Sequence, residues 1–165
     1  MLEQYIVNVA DFPTPGVLFR DISPLLRHHF EESIDALEHL LSAAEWRCID
    51  AIAGIESRGF ILGAALAARR RLGFVLVRKK GKLPPPVVDV AYELEYGSGV
   101  LEMQPGQGRL LLVDDVLATG GTLGGAAELC ERAGYAVHAL TVLIDLRIVP
   151  AFAWRGKHVR SVIAY

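Results

Sequence analysis

The sequence has little of what several protein classes require. Its 165 residues include only two cysteines, which is too few for a disulfide scaffold or a four-thiolate zinc site. Excess positive charge is also missing, because 17 lysines and arginines face 19 aspartates and glutamates for a net charge of −2. Such a balance provides no basic field for nucleic acid or for an anionic membrane surface.

A membrane helix and a signal peptide are lacking as well. No apolar run reaches the eighteen or so residues that a membrane helix needs, since charges or glycines interrupt each run. Residues 1–12 carry acids where a signal peptide needs basic residues. The five histidines show no metal-ligand spacing, so no metal site built by the protein alone is expected. We expect a cytoplasmic protein that forms one domain over residues 1–165.

The chain does contain an alternation of apolar strands and amphipathic helices. With 52% hydrophobic residues, a domain of this length can bury roughly two thirds of the surface that its unfolded chain exposes. Continuous apolar strands between helices predict an α/β fold with a parallel sheet covered on both faces. The pattern predicts strands over 48–54, 74–77, 110–113 and 137–144, and helices over 31–46, 59–72 and 121–133. Residues 79–108 lack clear periodicity, and a loop of that length is usually functional, often as a lid.

The strongest functional signal follows the strand over 110–113. Two carboxylates, Asp114 and Asp115, come first, and a turn of small residues then opens the helix over 121–133. Backbone N–H groups, threonine hydroxyls and the partial positive charge of a helix N-terminus together suit a phosphate monoester. The residues predicted to bind it are Ala118, Thr119, Gly120, Gly121 and Thr122. The turn lacks the lysine of a Walker A loop and the glycine spacing of a dinucleotide site, so neither of these two kinds of site is indicated. The two acids would face the hydroxyls of a ribose next to the phosphate.

Residues 110–122 resemble the phosphoribosyl diphosphate (PRPP) signature of type I phosphoribosyltransferases. Four further motifs resemble those of the adenine phosphoribosyltransferases within that family. They are the base-binding segment 12–22, the pyrophosphate loop 54–60, the basic loop 77–84 and the mobile catalytic loop around 94–97. The five motifs stand in the family's order, so the resemblance covers most of the chain.

The resemblance implies a fold and a reaction. The fold would be a central, mostly parallel sheet flanked by helices, with a base-binding hood over 1–30 and a mobile catalytic loop over 79–108. The reaction would transfer the 5-phosphoribosyl group from PRPP to adenine, giving AMP and pyrophosphate in purine salvage. Mg²⁺ would arrive with PRPP, because this ion prefers oxygen ligands from substrate and water. A homodimer is implied too, in which the region around Arg78 and Lys79 reaches the neighbouring subunit's site.

The same resemblance implies roles for individual residues. Glu95, together with Tyr96, would handle a proton at a purine nitrogen, and Arg58 would hold the leaving diphosphate through its planar fork. A cis peptide bond is implied between Glu56 and Ser57. The residues implied to contact the base are Val17, Leu18, Phe19 and Arg20. Those implied to bind PRPP beside the acids and the turn are Ser57, Arg58, Arg78, Lys79 and Lys82.

Other functions remain open at this point. The purine could be hypoxanthine, guanine or xanthine, because base preference depends on backbone geometry in the base-binding segment. A non-catalytic, PRPP-sensing regulator is disfavoured, since the chain has neither an appended domain nor a basic face. A diphosphokinase-like enzyme would need an ATP site for which the chain has no length.

Three stretches depart from the family's pattern. The stretch over residues 97–105 is a few residues shorter than in typical members of the family, which would shorten the hairpin of the catalytic loop. The three prolines over 84–86 are stiff for a moving loop. Residues 147–156 match nothing in the family's motifs, and no function is predicted for them.

Overall fold

Strands and helices alternate in the computed structural model, which describes residues 2–94 and 97–165. A short 3-10 helix, Leu2–Tyr5, comes first. The helices are α1 (Ser23–His28), α2 (Phe30–Glu38), α3 (Ala43–Trp46), α4 (Arg58–Arg70) and α5 (Gly121–Arg132). The strands are β1 (Val7–Ala10), β2 (Leu18–Asp21), β3 (Ala51–Ile55), β4 (Gly73–Lys79), β5 (Val88–Leu94), β6 (Gly97–Met103), β7 (Gly108–Leu117), β8 (Tyr135–Asp145), β9 (Ala153–Trp154) and β10 (Lys157–Ala164). Over the described ranges, none of these helices is long and apolar enough to cross a membrane.

The main sheet is mostly parallel, which confirms the predicted fold class. In the described chain it holds eight strands in the order β5-β6-β4-β3-β7-β8-β10-β9. The pairs β4–β3, β3–β7, β7–β8 and β8–β10 are parallel, whereas β5, β6 and β9 are joined antiparallel at the two edges. Strands β1 and β2 form a separate antiparallel pair that lies within the predicted hood segment.

Both faces of the central strands are buried, which explains why their sequences are continuously apolar. In β7, Leu111 belongs to the apolar cluster on the face that α4 covers, and Leu112 belongs to the cluster on the face that α5 covers. Neighbouring β3 alternates in the same way through Ile52 and Ala53. Truncating one such leucine to alanine typically costs about 2–5 kcal/mol, so the two clusters hold the central strands firmly in place.

The predicted helix over 31–46 is wrong in one respect, because the structure divides it. Helix α2 ends at Glu38, and a new helix begins at Ala43. The cause is a capping box: the Ser42 hydroxyl accepts the backbone N–H of Glu45, and the Glu45 carboxylate accepts the backbone N–H of Ser42. This reciprocal pair of bonds starts a helix at that point rather than continuing one.

The prediction of a loop throughout residues 79–108 is also wrong. Strands β5 and β6 occupy residues 88–94 and 97–103 and pair from Val88 opposite Met103 to Leu94 opposite Gly97. Their periodicity is weak because they form the edge of the sheet, where few side chains such as Val90 and Leu101 are buried. Whether this region moves during catalysis stays a prediction.

Helix α5 carries two adjacent glycines with different surroundings. A methyl group added at Gly124 would lie 3.5 Å from the nearest atom of Phe152, an ordinary contact distance. A methyl group added at Gly125 would lie 2.5 Å from Cβ of Tyr92, which is too close. The strand β5 hairpin therefore packs directly on the Gly125 backbone.

These neighbours make a matched pair of variants. Gly124→Ala should raise the melting temperature by about 2–4 °C, since alanine is favoured over glycine inside a helix by about 0.5–1 kcal/mol. Gly125→Ala gains the same helix propensity but should lower the melting temperature, because the hairpin must shift away. Thermal denaturation followed by circular dichroism measures both, and equal increases for the two variants would contradict the packing described here.

Candidate active site

Two strand–turn–helix units place their turns side by side. Strand β3 leads through Glu56 and Ser57 into α4, and strand β7 leads through residues 118–120 into α5. Because β3 and β7 are paired in parallel, both turns lie at the same edge of the sheet, where α/β proteins bind ligands. The peptide bond between Glu56 and Ser57 is cis, as the resemblance implies.

The acid pair lies inside strand β7 rather than after it, because this strand continues to Leu117. Asp114 and Asp115 are only 8% and 7% exposed. The Asp114 carboxylate accepts the backbone N–H of Asp115 at 2.9 Å. Burial raises the pKa of Asp114 well above its ordinary value, and the negative charge of Asp115 adds to the rise. Two adjacent carboxyls are thus held out of water at the sheet edge, which costs stability.

Arg58, the first residue of α4, lies between the acid pair and the base-binding segment. Its Nε is 2.7 Å from Oδ2 of Asp115, an ion pair, although this buried oxygen has no hydrogen bond within the described residues. Its guanidinium lies 5.0 Å from the ring centroid of Phe19 and donates a long bond of 3.5 Å to the carbonyl of Arg20. The arginine thereby couples the carboxylates to strand β2, and its predicted hold on a diphosphate stays a prediction.

Glu56 organises the basic loop that follows β4. Its two carboxylate oxygens each accept a bond of 3.2 Å from the Arg78 guanidinium, and one of them also accepts the backbone N–H of Lys79 at 3.0 Å. The bonds from Arg78 lower the pKa of Glu56. Arg78 also donates to the carbonyl of Lys82, whereas the Lys79 and Lys82 side chains are exposed. The structure thus brings the three predicted basic residues together but engages Arg78 with Glu56.

Glu102 is a buried carboxylate on β6 for which no role is predicted from the sequence. It accepts the backbone N–H groups of Lys82 and Leu83, each at 2.7 Å. A backbone bond from Gly81 lowers the pKa of Glu102 most, and the bonds from Leu83 and Lys82 add to this effect. Glu102 thus fixes the basic loop against the sheet. In the sequence, only its place between the apolar residues Leu101 and Met103 could have indicated a carboxylate on a partly buried strand.

The predicted phosphate turn has the geometry of an anion site. Gly120 lies at the N-cap of α5 with φ of +88°, and none of the described side chains caps this helix by a hydrogen bond. The first backbone N–H groups of α5 therefore lack a side-chain acceptor, and the helix dipole adds partial positive charge there. Thr119, Gly121 and Thr122 are half-buried around the turn, so a small anion can reach them.

The base-binding residues divide between the two sides of strand β2. A cavity of about 390 Å³ is lined by Gly16, Val17, Leu18, Arg20, Ala118, Leu146 and Ile148. Phe19 instead lines a cavity of about 450 Å³ together with Phe12, Arg58 and Ile61. The first cavity joins the hood to the phosphate turn through Ala118, and the second separates the hood from α4.

The predicted catalytic residues Glu95 and Tyr96 lie outside the described residues. Strand β5, which leads to them, packs against the start of α5. The carbonyl oxygen of Glu93 occupies the place that a side chain at Gly121 would take. Tyr92 packs over Gly125 and Gly99. Burial raises the pKa of Tyr92, and the negative charge of Asp114 contributes. The end of strand β5 therefore lies at the phosphate turn and near the acid pair.

The comparisons with known proteins agree with this geometry. The domain described as "Phosphoribosyl transferase domain" matches residues 26–156. An adenine phosphoribosyltransferase of Hydrogenovibrio crunogenus is 50% identical, over 99% of this chain and 96% of the relative. The crystal structure of an adenine phosphoribosyltransferase from Thermoanaerobacter pseudethanolicus superposes with a TM-score of 0.90 at 39% identity and covers 100% of both chains.

A third relative carries ligands. The Saccharomyces cerevisiae adenine phosphoribosyltransferase, solved with an imino-altritol bisphosphate and adenine, gives a TM-score of 0.89 at 35% identity, over 98% of this chain and 96% of that chain. Fold, site and domain match together define a type I phosphoribosyltransferase. The identity over nearly the whole chain is specific: the chain belongs to the adenine phosphoribosyltransferase family. The family predicted from the sequence is confirmed.

The buried acid pair predicts a pH-dependent stability difference. Because the pKa of Asp114 is raised on folding, the folded protein holds this proton more tightly than the unfolded chain. Its stability therefore falls as the pH rises through the raised value. Asp114→Asn cannot ionise and should raise the melting temperature at pH 8 by about 2 °C or more, with a smaller gain at pH 5.

The matched control is Asp115→Asn, which relieves only the smaller contribution of the Asp115 charge to the pKa of Asp114 and also removes the partner of Arg58. It should therefore give a smaller gain or none. Thermal denaturation of wild type and both variants across this pH range makes the comparison. A gain for Asp114→Asn that is independent of pH, or an equal gain for Asp115→Asn, would count against the assignment.

Proposed function

We propose that this chain transfers the 5-phosphoribosyl group of PRPP to adenine and releases AMP and pyrophosphate in purine salvage. The observation that carries the proposal is the position of Ala118. This residue belongs to the phosphate turn and also lines the cavity beside strand β2, so a nucleotide can lie with its phosphate on the turn and its base in the cavity. The yeast relative was solved with adenine and a bisphosphate, which are ligands of the two kinds that the proposal requires.

The ribose would then lie over the acid pair. Its 2′ and 3′ hydroxyls can donate hydrogen bonds to the carboxylates of Asp114 and Asp115, which the phosphate itself would avoid. Buried carboxylates also favour positive charge nearby, because the low dielectric of the surroundings strengthens the interaction. Both properties suit a ribosyl group that gains cationic character as its leaving group departs.

The reaction breaks the bond between C1 of the ribose and the diphosphate oxygen and forms a bond from C1 to a purine nitrogen. The electron pair of the broken bond leaves with pyrophosphate. The nitrogen loses its proton, and Glu95 is the residue that we propose to accept it. Closing the hairpin end over the site would exclude water from the cationic centre.

The leaving diphosphate would be met by positive charge from the basic loop. The side chains of Lys79 and Lys82 are exposed, and within the described residues neither forms an ion pair with Glu56, whose partner is the Arg78 side chain. Arg58 and Ser57 complete the proposed set. Mg²⁺ would enter as part of the PRPP complex, held by substrate oxygens and water, and would neutralise the developing charge. We also propose a homodimer in the cytoplasm, as the family resemblance implies.

Adenine would be read by the backbone of strand β2 rather than by a charged side chain. It offers an acceptor at N1 and a donor at N6, a pair that backbone N–H and C=O groups of residues 17–20 can match. A 6-oxopurine presents the opposite polarity and would leave buried backbone groups unpaired, which costs far more than an imperfect fit.

The choice of base is tested by steady-state turnover. Adenine, hypoxanthine, guanine and xanthine are each assayed with PRPP and Mg²⁺, and adenine should exceed the others in kcat/KM by at least about 10⁴-fold, since a polar mismatch rejects an analogue by that order. Turnover of a 6-oxopurine without adenine would overturn the base assignment. Tight PRPP binding without turnover of any base would identify a regulator instead.

The proposed proton acceptor is tested by Glu95→Gln. We expect kcat to fall by about 10²-fold or more, with little change in the affinity for PRPP, because the variant keeps the shape of the side chain. Asp89→Asn, which alters an exposed carboxyl on the same hairpin, should keep the wild-type rate. An unchanged kcat for Glu95→Gln would remove this residue from the chemistry.

A further inference from the structure

The segment for which the sequence predicts no function, residues 147–156, packs along helix α5. It contains β9 and ends in the turn at Arg155 and Gly156, both with positive φ (46° and 79°). Trp154 on one side of this turn pairs with Lys157 of β10 on the other. Two-residue turns of this kind fix the register of a hairpin, so the segment is anchored to the main sheet through β10.

The first contact with α5 is made by Phe152. Its half-buried ring covers Gly120 so closely that a methyl group there would overlap it, and it also lies 3.5 Å from the place of a methyl at Gly124. These two glycines are four residues apart and therefore on the same side of the helix. The carbonyl of Phe152 accepts the backbone N–H of Val159 at 3.3 Å, which joins the Phe152 backbone to strand β10.

A second contact is made at the other end of the helix. Glu131 accepts the indole N–H of Trp154 at 3.1 Å and forms an ion pair with Arg155 at 2.8 Å. From Gly120 to Glu131 the helical rise amounts to about 16 Å. Residues 152–155, which we term the brace, thus hold α5 at its first turn and near its last.

The contact of Phe152 with Gly120 matters because Gly120 belongs to the predicted phosphate turn, whose backbone must keep one conformation. A glycine at φ of +88° is the most permissive residue in the turn, since many backbone conformations cost it little. An anion site works only if its N–H groups are held in one orientation before the ligand arrives. Among the described residues, leaving aside the two chain neighbours of Gly120, the atoms nearest to the place of a Cβ at Gly120 belong to the Phe152 ring. The ring therefore restricts this freedom from outside the turn.

We propose that Phe152 is a positioning residue for the 5′-phosphate of PRPP, acting through Gly120. The proposal rests on the proposed function, since it assumes that the turn holds this phosphate. It gives a role to the brace, none of whose residues lines either cavity beside strand β2. The effect should therefore be confined to the phosphate end of the ligand.

Direct binding tests this role without relying on turnover. Isothermal titration calorimetry measures the affinities of the whole protein for ribose 5-phosphate and for adenine, in wild type, Phe152→Leu and Phe152→Ala. Phe152→Ala should weaken ribose 5-phosphate by about tenfold or more, because a turn displaced by a fraction of an ångström misaligns its N–H groups. The affinity of Phe152→Leu for ribose 5-phosphate should lie between those of wild type and Phe152→Ala. The affinity for adenine should stay unchanged in both variants.

Trp154→Phe serves as the matched control in the same segment. It removes the bond to Glu131 but leaves Phe152 in place, so it should lower the melting temperature and keep the affinity for ribose 5-phosphate. Phe152→Leu carries the test if Phe152→Ala does not fold. Wild-type affinity in both Phe152 variants, an equal loss for adenine, or an equal loss in Trp154→Phe would overturn the proposal.

Failure of the proposed function gives a different result. A wild-type protein that binds ribose 5-phosphate in a Phe152-dependent way, yet turns over no purine with PRPP, would refute the transferase and retain the positioning role. Normal turnover by the wild type, with unchanged affinity for ribose 5-phosphate in the Phe152 variants, would support the transferase and refute the positioning role.

Discussion

The parallel pairing of β3 with β7 is the constraint on which the site depends. It brings the turn before α4 and the turn before α5 to the same edge of the sheet, so groups more than fifty residues apart in the sequence meet there. Arg58 reaches Asp115 across this pair of strands at 2.7 Å. Neither turn could form the site alone, because one supplies the arginine and the other supplies the carboxylates and the helix N-terminus.

Several residues of the site destabilise the folded protein, and other parts of the structure offset that cost. Two neighbouring carboxyls are buried, and the resulting rise in the pKa of Asp114 means that their charge is costly in the folded protein. The apolar clusters on both faces of β7 offset that cost, because they fix the strand that carries the acids. Glycines at the start of α5 add a second cost in helix propensity. In return they allow close approach of the β5 hairpin on one side and of Phe152 on the other.

Local sequence was sufficient to predict the parts of the fold that alternate regularly. It also indicated the contiguous parts of the candidate site, whose ligand-binding roles stay predictions. The central strands have buried faces on both sides, so their apolar runs stand out, and the acids and glycines of the phosphate turn follow one another directly. The division of the helix over 31–46 also has a local cause, the capping box of Ser42 and Glu45, which the helical spacing of the apolar residues does not reveal. What local sequence did not predict depends on distant partners. The edge strands β5 and β6 lack strong periodicity, and the engagement of Arg78 with Glu56 joins two motifs that are distant in the sequence. The role proposed for Phe152 depends on its packing against Gly120.

A crystal structure of the protein with AMP tests the central claim most directly. The account predicts the phosphate on the backbone N–H groups of residues 120–122, the ribose hydroxyls on Asp114 and Asp115, and adenine in the cavity that Leu18, Arg20 and Ala118 line. A phosphate bound elsewhere, or adenine in the cavity between Phe12 and Ile61, would contradict it.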